Sequence, residues 1–194
     1  KYWEKEVLIS MKFHNILLIS VLSILIFIQG CFSKNYEKIS DTRLALGTAL
    51  TITFFSYDKK EAKTILNQCY DLAKSLENKV SCRVEDSIIS KLNREKSLTI
   101  YDDFVYNLLI ESIKYSKETE GAFDPALYNL ITLWGFDSDK ANRVPAPEEI
   151  KTALSCSGYK NVIINENKVI LKNNASLDLG GIAKGRIISE IRNF

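Results

Sequence analysis

A chain of 194 residues that is 46% hydrophobic and 26% charged, with 8 Gly and 3 Pro, has the makeup of a folded domain and excludes disordered, collagen-like and low-complexity chains. With 26 Lys and Arg against 24 Asp and Glu the formal charge is +2, too little for the basic footprint of a nucleic-acid binder. Four Cys are too few for a disulfide scaffold of this length, and one His supplies a zinc cluster poorly.

The sole methionine is Met11, followed by a short polar stretch with Lys12 and His14 and then an almost wholly aliphatic run from Ile16 to Ile28. This is the pattern of an export signal, since a membrane anchor needs about 20 apolar residues. Ile28-Gln29-Gly30-Cys31 then resembles a lipobox, in which a small residue permits cleavage before a cysteine that takes a lipid. The competing reading is a buried helix or anchor carrying an incidental cysteine. Residues 1–30 are accordingly expected as upstream extension and lipoprotein signal peptide, and 31–43 as a lipidated tether. Loss of Lys1, Lys5, Lys12, Glu4 and Glu6 leaves the remainder almost neutral, so the lipid and not charge would hold it at a membrane.

Leu44 to Phe55 alternates Leu50, Ile52 and Phe54 with Thr51 and Thr53, the period of a half-buried strand, with Gly47 marking a bulge or a close ligand approach. Asp58 with Glu61 predicts a helix N-terminus, and Ala62, Ile65, Leu66, Cys69, Leu72, Ala73 and Leu76 recur at helical spacing behind it. Cys69 on that stripe reads as a small buried hydrophobe. Cys82 and Cys156 have no metal spacing, although export leaves one disulfide among the three cysteines open.

Residues 87–93 predict a short helix and Asp102 caps a longer one that Gly121 stops. After Pro145 and Pro147, Glu148 to Ser155 is helical. Val162-Ile163-Ile164 and Val169-Ile170-Leu171 flank Asn165-Glu166-Asn167-Lys168 as a hairpin, and Leu177 to Leu179 begins a further strand that runs into Gly180-Gly181. Grouped helices with antiparallel strands define an α+β class without internal repeats.

Two segments carry chemistry. In Thr119-Glu120-Gly121-Ala122-Phe123-Asp124-Pro125, followed by Leu133-Trp134-Gly135-Phe136, small residues let a flat ring lie on the backbone while Asp124 offers an acceptor to a ring amine or hydroxyl. The same residues also suit a helix C-cap and an Asp-Pro turn. Leu177-Asp178-Leu179-Gly180-Gly181-Ile182-Ala183-Lys184-Gly185 turns through two glycines into a helix with Lys184 in its first turn, a suitable phosphate site or simply a tight turn with a solvated lysine. Neither a Walker loop nor GxGxxG is present.

In order along the chain, Leu46-Gly47-Thr48, Ser87 with Leu92-Asn93, the Gly121 to Pro125 segment with Leu133 to Phe136, Gly158-Tyr159, and Leu177 to Gly185 resemble the ApbE family. Its members are flavin transferases that cleave FAD and attach FMN to a Thr or Ser of an acceptor protein, and they are commonly exported lipoproteins. The resemblance implies an α+β fold with a mixed or antiparallel sheet and packed helices, incomplete at the C-terminus, with 44–194 as the N-terminal part of the domain. It implies that Leu46 packs near the flavin and that Ala122, Phe123, Asp124, Asp178 and Lys184 contact FAD. The residue aligned with Gly181 gives a backbone carbonyl to Mg²⁺, and Arg83 stands where many members stack a Tyr on the cofactor.

The chemistry this implies is nucleophilic attack on the FMN phosphorus, with Mg²⁺ and a lysine neutralising the charge that builds on the bridging oxygens and a base taking the acceptor hydroxyl's proton. The family's candidate base, a His, and the Asp and Thr that complete the metal site would lie beyond Phe194, since this sequence's only His is His14. Two alternatives share the site: an FAD pyrophosphatase releasing FMN and AMP, and a lipoprotein that binds flavin without catalysis. The implied partners are FAD, an acceptor protein and, through Cys31, a membrane outside the cytoplasm; nucleic acid is not among them.

Overall fold

The computed structural model describes residues 35–136 and 144–194, together with the isolated positions His14, Leu18 and Ser20. Cys31 and most of the expected export signal therefore lie outside the described residues. Internal contacts group residues 41–52 with 63–194 in one compact unit; a second unit holds residues 1–40 with 53–62, of which 35–40, 53–62 and the three isolated positions are described.

Alternation of threonines with apolar residues produces two strands, β1 (Glu37–Ala45) and β2 (Thr48–Ser56), which pair in a two-stranded sheet. Leu46 and Gly47 join them with φ of 56° and 67°, the two positive φ values that a tight hairpin turn of the primed type requires. Matched hydroxyls face each other across the pair, Thr42 with Thr51 and Ser40 with Thr53, each at 2.9 Å. The single strand expected over 44–55 is thus a hairpin, and Gly47 is its turn, not a bulge. Residues 37–43, expected as tether, form most of β1; their Ser, Asp and Thr content hid the strand.

Helix α1 (Lys59–Val80) starts where Asp58 Oδ1 accepts from the Lys60 and Glu61 N–H groups, as the sequence predicts. Within the larger unit its apolar stripe, Leu66, Cys69, Tyr70, Ala73, Leu76 and Val80, is buried. The Tyr70 hydroxyl reaches the Asp41 and Leu50 carbonyl oxygens at 2.9 and 3.1 Å, and the Arg43 guanidinium lies 4.2 Å from the Tyr70 ring centre. These contacts seat that part of the hairpin on α1. No disulfide joins Cys69, Cys82 and Cys156 to one another, and burial pushes the Cys69 thiol above its ordinary pKa.

Helix α2 (Ile88–Glu95) is capped by Ser87, whose side chain accepts from Ser90 N–H at 2.9 Å. It ends on Lys96 in the left-handed conformation and leads into the short strand β3 (Ser97–Thr99). Helix α3 (Asp103–Glu118) follows an Asp102 cap, and Ser112 and Ser116 bury their hydroxyls against the carbonyls one turn back. After the short α4 (Tyr128–Leu133) and α5 (Pro147–Ser155), the hairpin β4 (Val162–Asn165) and β5 (Lys168–Leu171) forms as expected. β3 adds to it antiparallel, giving the order β3-β5-β4 with Leu98 opposite Val169 and Ile163 opposite Ile170.

Residues 177–179 do not form the expected strand. Their polar groups are taken by a side chain and a distant carbonyl instead of a sheet neighbour, and the chain enters helix α6 (Gly180–Asn193) at once. Arg186 ties α6 to α3 through Glu111 at 2.7 Å and to its own helix through Glu190 at 3.1 Å. Ile89, Leu92, Val105, Leu108, Val169, Leu177 and Ile187 form the centre of the core, each no more than 1% exposed. Among the described residues no helix is long and apolar enough to cross a membrane.

Candidate functional site

The site is built on the start of α6. Asn93 on α2 accepts from Leu177 N–H at 2.6 Å and donates to the Leu177 carbonyl at 2.8 Å, and Asp178 N–H donates to the Pro125 carbonyl at 2.8 Å. Asp178 Oδ1 then accepts from Gly180 N–H at 2.7 Å, which places its carboxylate over the first turn of the helix. A Cβ on Gly181 would stand 3.2 Å from Cε2 of Phe123, so glycine lets that ring lie close on the helix. This contact joins the two segments that the sequence marks as chemical.

The Phe123 loop is held from below. Thr119 Oγ1 accepts from Phe123 N–H at 3.0 Å, and Gly121 N–H closes on the Ser116 carbonyl at 2.8 Å. Asp124 uses both carboxylate oxygens on the main chain, Oδ1 for Ala126 N–H and Oδ2 for Tyr159 N–H, each at 2.8 Å. It latches the loop to the turn before β4, and only its remaining lone pairs are available to a ligand.

Two clefts open on either side of Gly181. The first, about 480 Å³, is charged: Glu77, Arg83, Asp178 and Lys184 line it together with Leu46 and Gly181. The second, about 360 Å³, is apolar and aromatic: Phe123, Trp134 and Phe136 line it with Ala122, Asp124, Asp178 and Gly181. Asp178 and Gly181 belong to both. All eight of Leu46, Arg83, Ala122, Phe123, Asp124, Asp178, Gly181 and Lys184 therefore stand at one pair of adjoining clefts.

Two relationships escape sequence reasoning. Glu77 of α1 accepts from Leu46 N–H at 3.3 Å, holding a leucine that is 5% exposed in a left-handed conformation unfavourable for its side chain. Arg83, in the loop after α1, donates through Nη2 to the Phe136 carbonyl at 3.2 Å, so a side chain of the first cleft holds the rim of the second. Neither follows from any spacing in the sequence. Beneath the site, Lys96 Nζ donates to the Ala175 carbonyl and Ser176 Oγ, each at 2.9 Å, and its burial lowers its pKa from the usual lysine value.

Magnesium wants several hard oxygen ligands around one point. Among the described residues no group of three or more His, Cys, Asp or Glu side chains converges in that way. Gly181 offers a main-chain carbonyl within α6, beside the cationic Lys184, and by themselves these residues do not form a magnesium site.

Such a fold, with a charged and an aromatic cleft meeting on a glycine-started helix, defines an α+β domain with two adjoining clefts at one helix start. The chain belongs to the ApbE family, whose model matches residues 46–194. It is 26% identical over 166 residues to the FAD:protein FMN transferase of Treponema pallidum (strain Nichols), covering 80% of this chain and 46% of that protein. To the FAD:protein FMN transferase of Vibrio cholerae it is 27% identical over 179 residues, covering 89% of this chain and 53% of the other. The ApbE protein of Thermotoga maritima superposes with a TM-score of 0.74 at 35% identity, over 82% of this chain and 52% of that one. Flavin transferase ApbE from Vibrio cholerae, at 22% identity and a TM-score of 0.73, covers 82% of this chain and 53% of its own and shares the fold. The chain thus spans about half the length of the relatives it matches.

Proposed function

We propose that this chain is the FAD-binding part of an FAD:protein FMN transferase, which moves FMN from FAD to a Thr or Ser of an acceptor protein. The observation that carries the proposal is the packing of Phe123 on Gly181, which joins an aromatic cleft to a charged one with every family-aligned residue at their rims. One ring of the dinucleotide lies against Ala122 and Phe123. Lys184, an exposed cation in the first turns of α6, is placed to neutralise the negative charge of a phosphate ester. Asp178, held by Gly180 N–H, orients the first turn of α6 beneath the ligand. Magnesium, with the Gly181 carbonyl as one of its ligands, belongs to the family expectation. Export and lipidation at Cys31, placing the domain at a membrane surface outside the cytoplasm, complete the proposal.

A second reading rests on one sequence fact: His14, the only histidine, lies outside the stretch that the family model matches. The residues present would then bind FAD without transferring FMN. The deciding experiment incubates the chain with FAD, magnesium and a Thr-containing acceptor protein and follows protein-bound flavin fluorescence on a denaturing gel, with free FMN and AMP measured alongside. Covalent fluorescence on the acceptor supports the transferase, free FMN and AMP without labelling support a pyrophosphatase, and bound intact FAD supports the second reading. A chain that neither binds nor alters FAD overturns all three.

A further inference from the structure

A ligand that places one ring in each cleft must cross the shared wall at Asp178 and Gly181 with its middle. In a flavin dinucleotide the middle is a diphosphate, the most negative part of the molecule. Two acids stand there, Glu77 accepting from Leu46 N–H and Asp178 from Gly180 N–H, and both keep their charge, so a diphosphate is held only where cations outweigh them. The cations of the charged cleft are Lys184 from α6 and Arg83 from the loop after α1. Arg83 is the one that spans both clefts, because it lines the first and holds the Phe136 carbonyl at the rim of the second. A bond from an exposed guanidinium to a neutral carbonyl is weak, whereas a phosphate offers the same fork a shorter, charge-assisted and bidentate partner.

We propose that Arg83 reads the diphosphate of the dinucleotide where the two clefts meet, so that the site selects FAD over FMN and riboflavin by charge. This rests on the flavin reading above. It assigns to Arg83 a role that an aromatic residue at the same place could not perform: a tyrosine would hold a ring by stacking and would not sense the number of phosphates.

The test titrates FAD, FMN and riboflavin into the chain, into R83Q and into R83K, at low and at high salt. The expected result is that R83Q weakens FAD binding about tenfold, weakens FMN less and leaves riboflavin unchanged, while R83K, which keeps the charge and loses the fork, falls between R83Q and the unchanged chain. The salt dependence of FAD binding also falls in R83Q, a change that a merely structural arginine would not produce. Equal FAD binding by R83Q and the unchanged chain overturns the proposal. So does a parallel loss of FAD and riboflavin, which would mean that Arg83 only holds the Phe136 rim. An unchanged chain that binds none of the three overturns the flavin reading itself, and the proposal with it.

Discussion

Asn93 and Leu177, 84 residues apart, satisfy one another reciprocally: the Asn93 amide accepts from Leu177 N–H at 2.6 Å and donates to the Leu177 carbonyl at 2.8 Å. Leu177 is fully buried, so these two bonds stand in for the sheet partner that an extended segment would otherwise need. They also fix the height at which α6 begins, and with it the wall between the clefts.

Replacing Asn93 by Ala leaves a buried N–H and a buried C=O without partners, which costs about 2 kcal/mol or more. For a chain of this size that lowers Tm by about 4–8 °C. Thermal unfolding followed by circular dichroism checks it. Asp at the same position keeps the acceptor but sets a carboxylate oxygen against the Leu177 carbonyl, so N93D is expected to cost at least as much as N93A.

Gly181 and Gly185 lie on one helix and make opposite predictions. A methyl group at Gly181 stands 3.2 Å from the Phe123 ring, so G181A displaces the ring by a few tenths of an ångström, costs about 1 kcal/mol and weakens flavin binding. At Gly185 a Cβ meets nothing within 4 Å, and G185A is expected to stabilise the helix by about 0.5–1 kcal/mol. Urea unfolding of the two variants, with flavin titration of each, separates the effects.

The Asp102 carboxylate caps α3 and pairs with Lys79 Nζ at 2.8 Å. Burial pushes its pKa up, but the hydrogen bonds from Lys79 and from Val105 N–H outweigh it and hold the group below the usual carboxylate value. A carboxyl depressed in the folded state contributes stability above its unfolded pKa of about 4 and loses it as pH falls through the lower folded value. D102N keeps a capping side chain and removes the charge. It should cost about 1 kcal/mol near neutrality, since the pair is partly exposed, and nothing at pH values below the folded pKa. Denaturant midpoints of both proteins across the acid range test the convergence.

Periodicity was sufficient for α1, for the helix capped by Ser87 and for the β4–β5 hairpin, because each has a long apolar stripe or a turn with its own chemistry. It failed where the partner was remote. Leu177 to Leu179 alternates like a strand, but a single asparagine from α2 takes the hydrogen bonds of Leu177. β3 has three residues, too few to show a period, and β1 was concealed by its polar composition. The clefts were legible through the glycines and aspartates whose backbone roles restrict them to one residue type. The bridge from Arg83 to Phe136 and the bond from Glu77 to Leu46 join positions 53 and 31 residues apart, and such side-chain reach leaves no mark on the sequence.

The central claim is that the two clefts form one site for FAD. Equilibrium dialysis of radiolabelled FAD against the 194-residue chain, beside D178A, K184A and the distant K117A, tests it most directly. The account predicts saturable binding of one FAD per chain, weakened about tenfold or more in D178A and K184A and unchanged in K117A. Absence of saturable binding, or equal affinity in all four proteins, would contradict it.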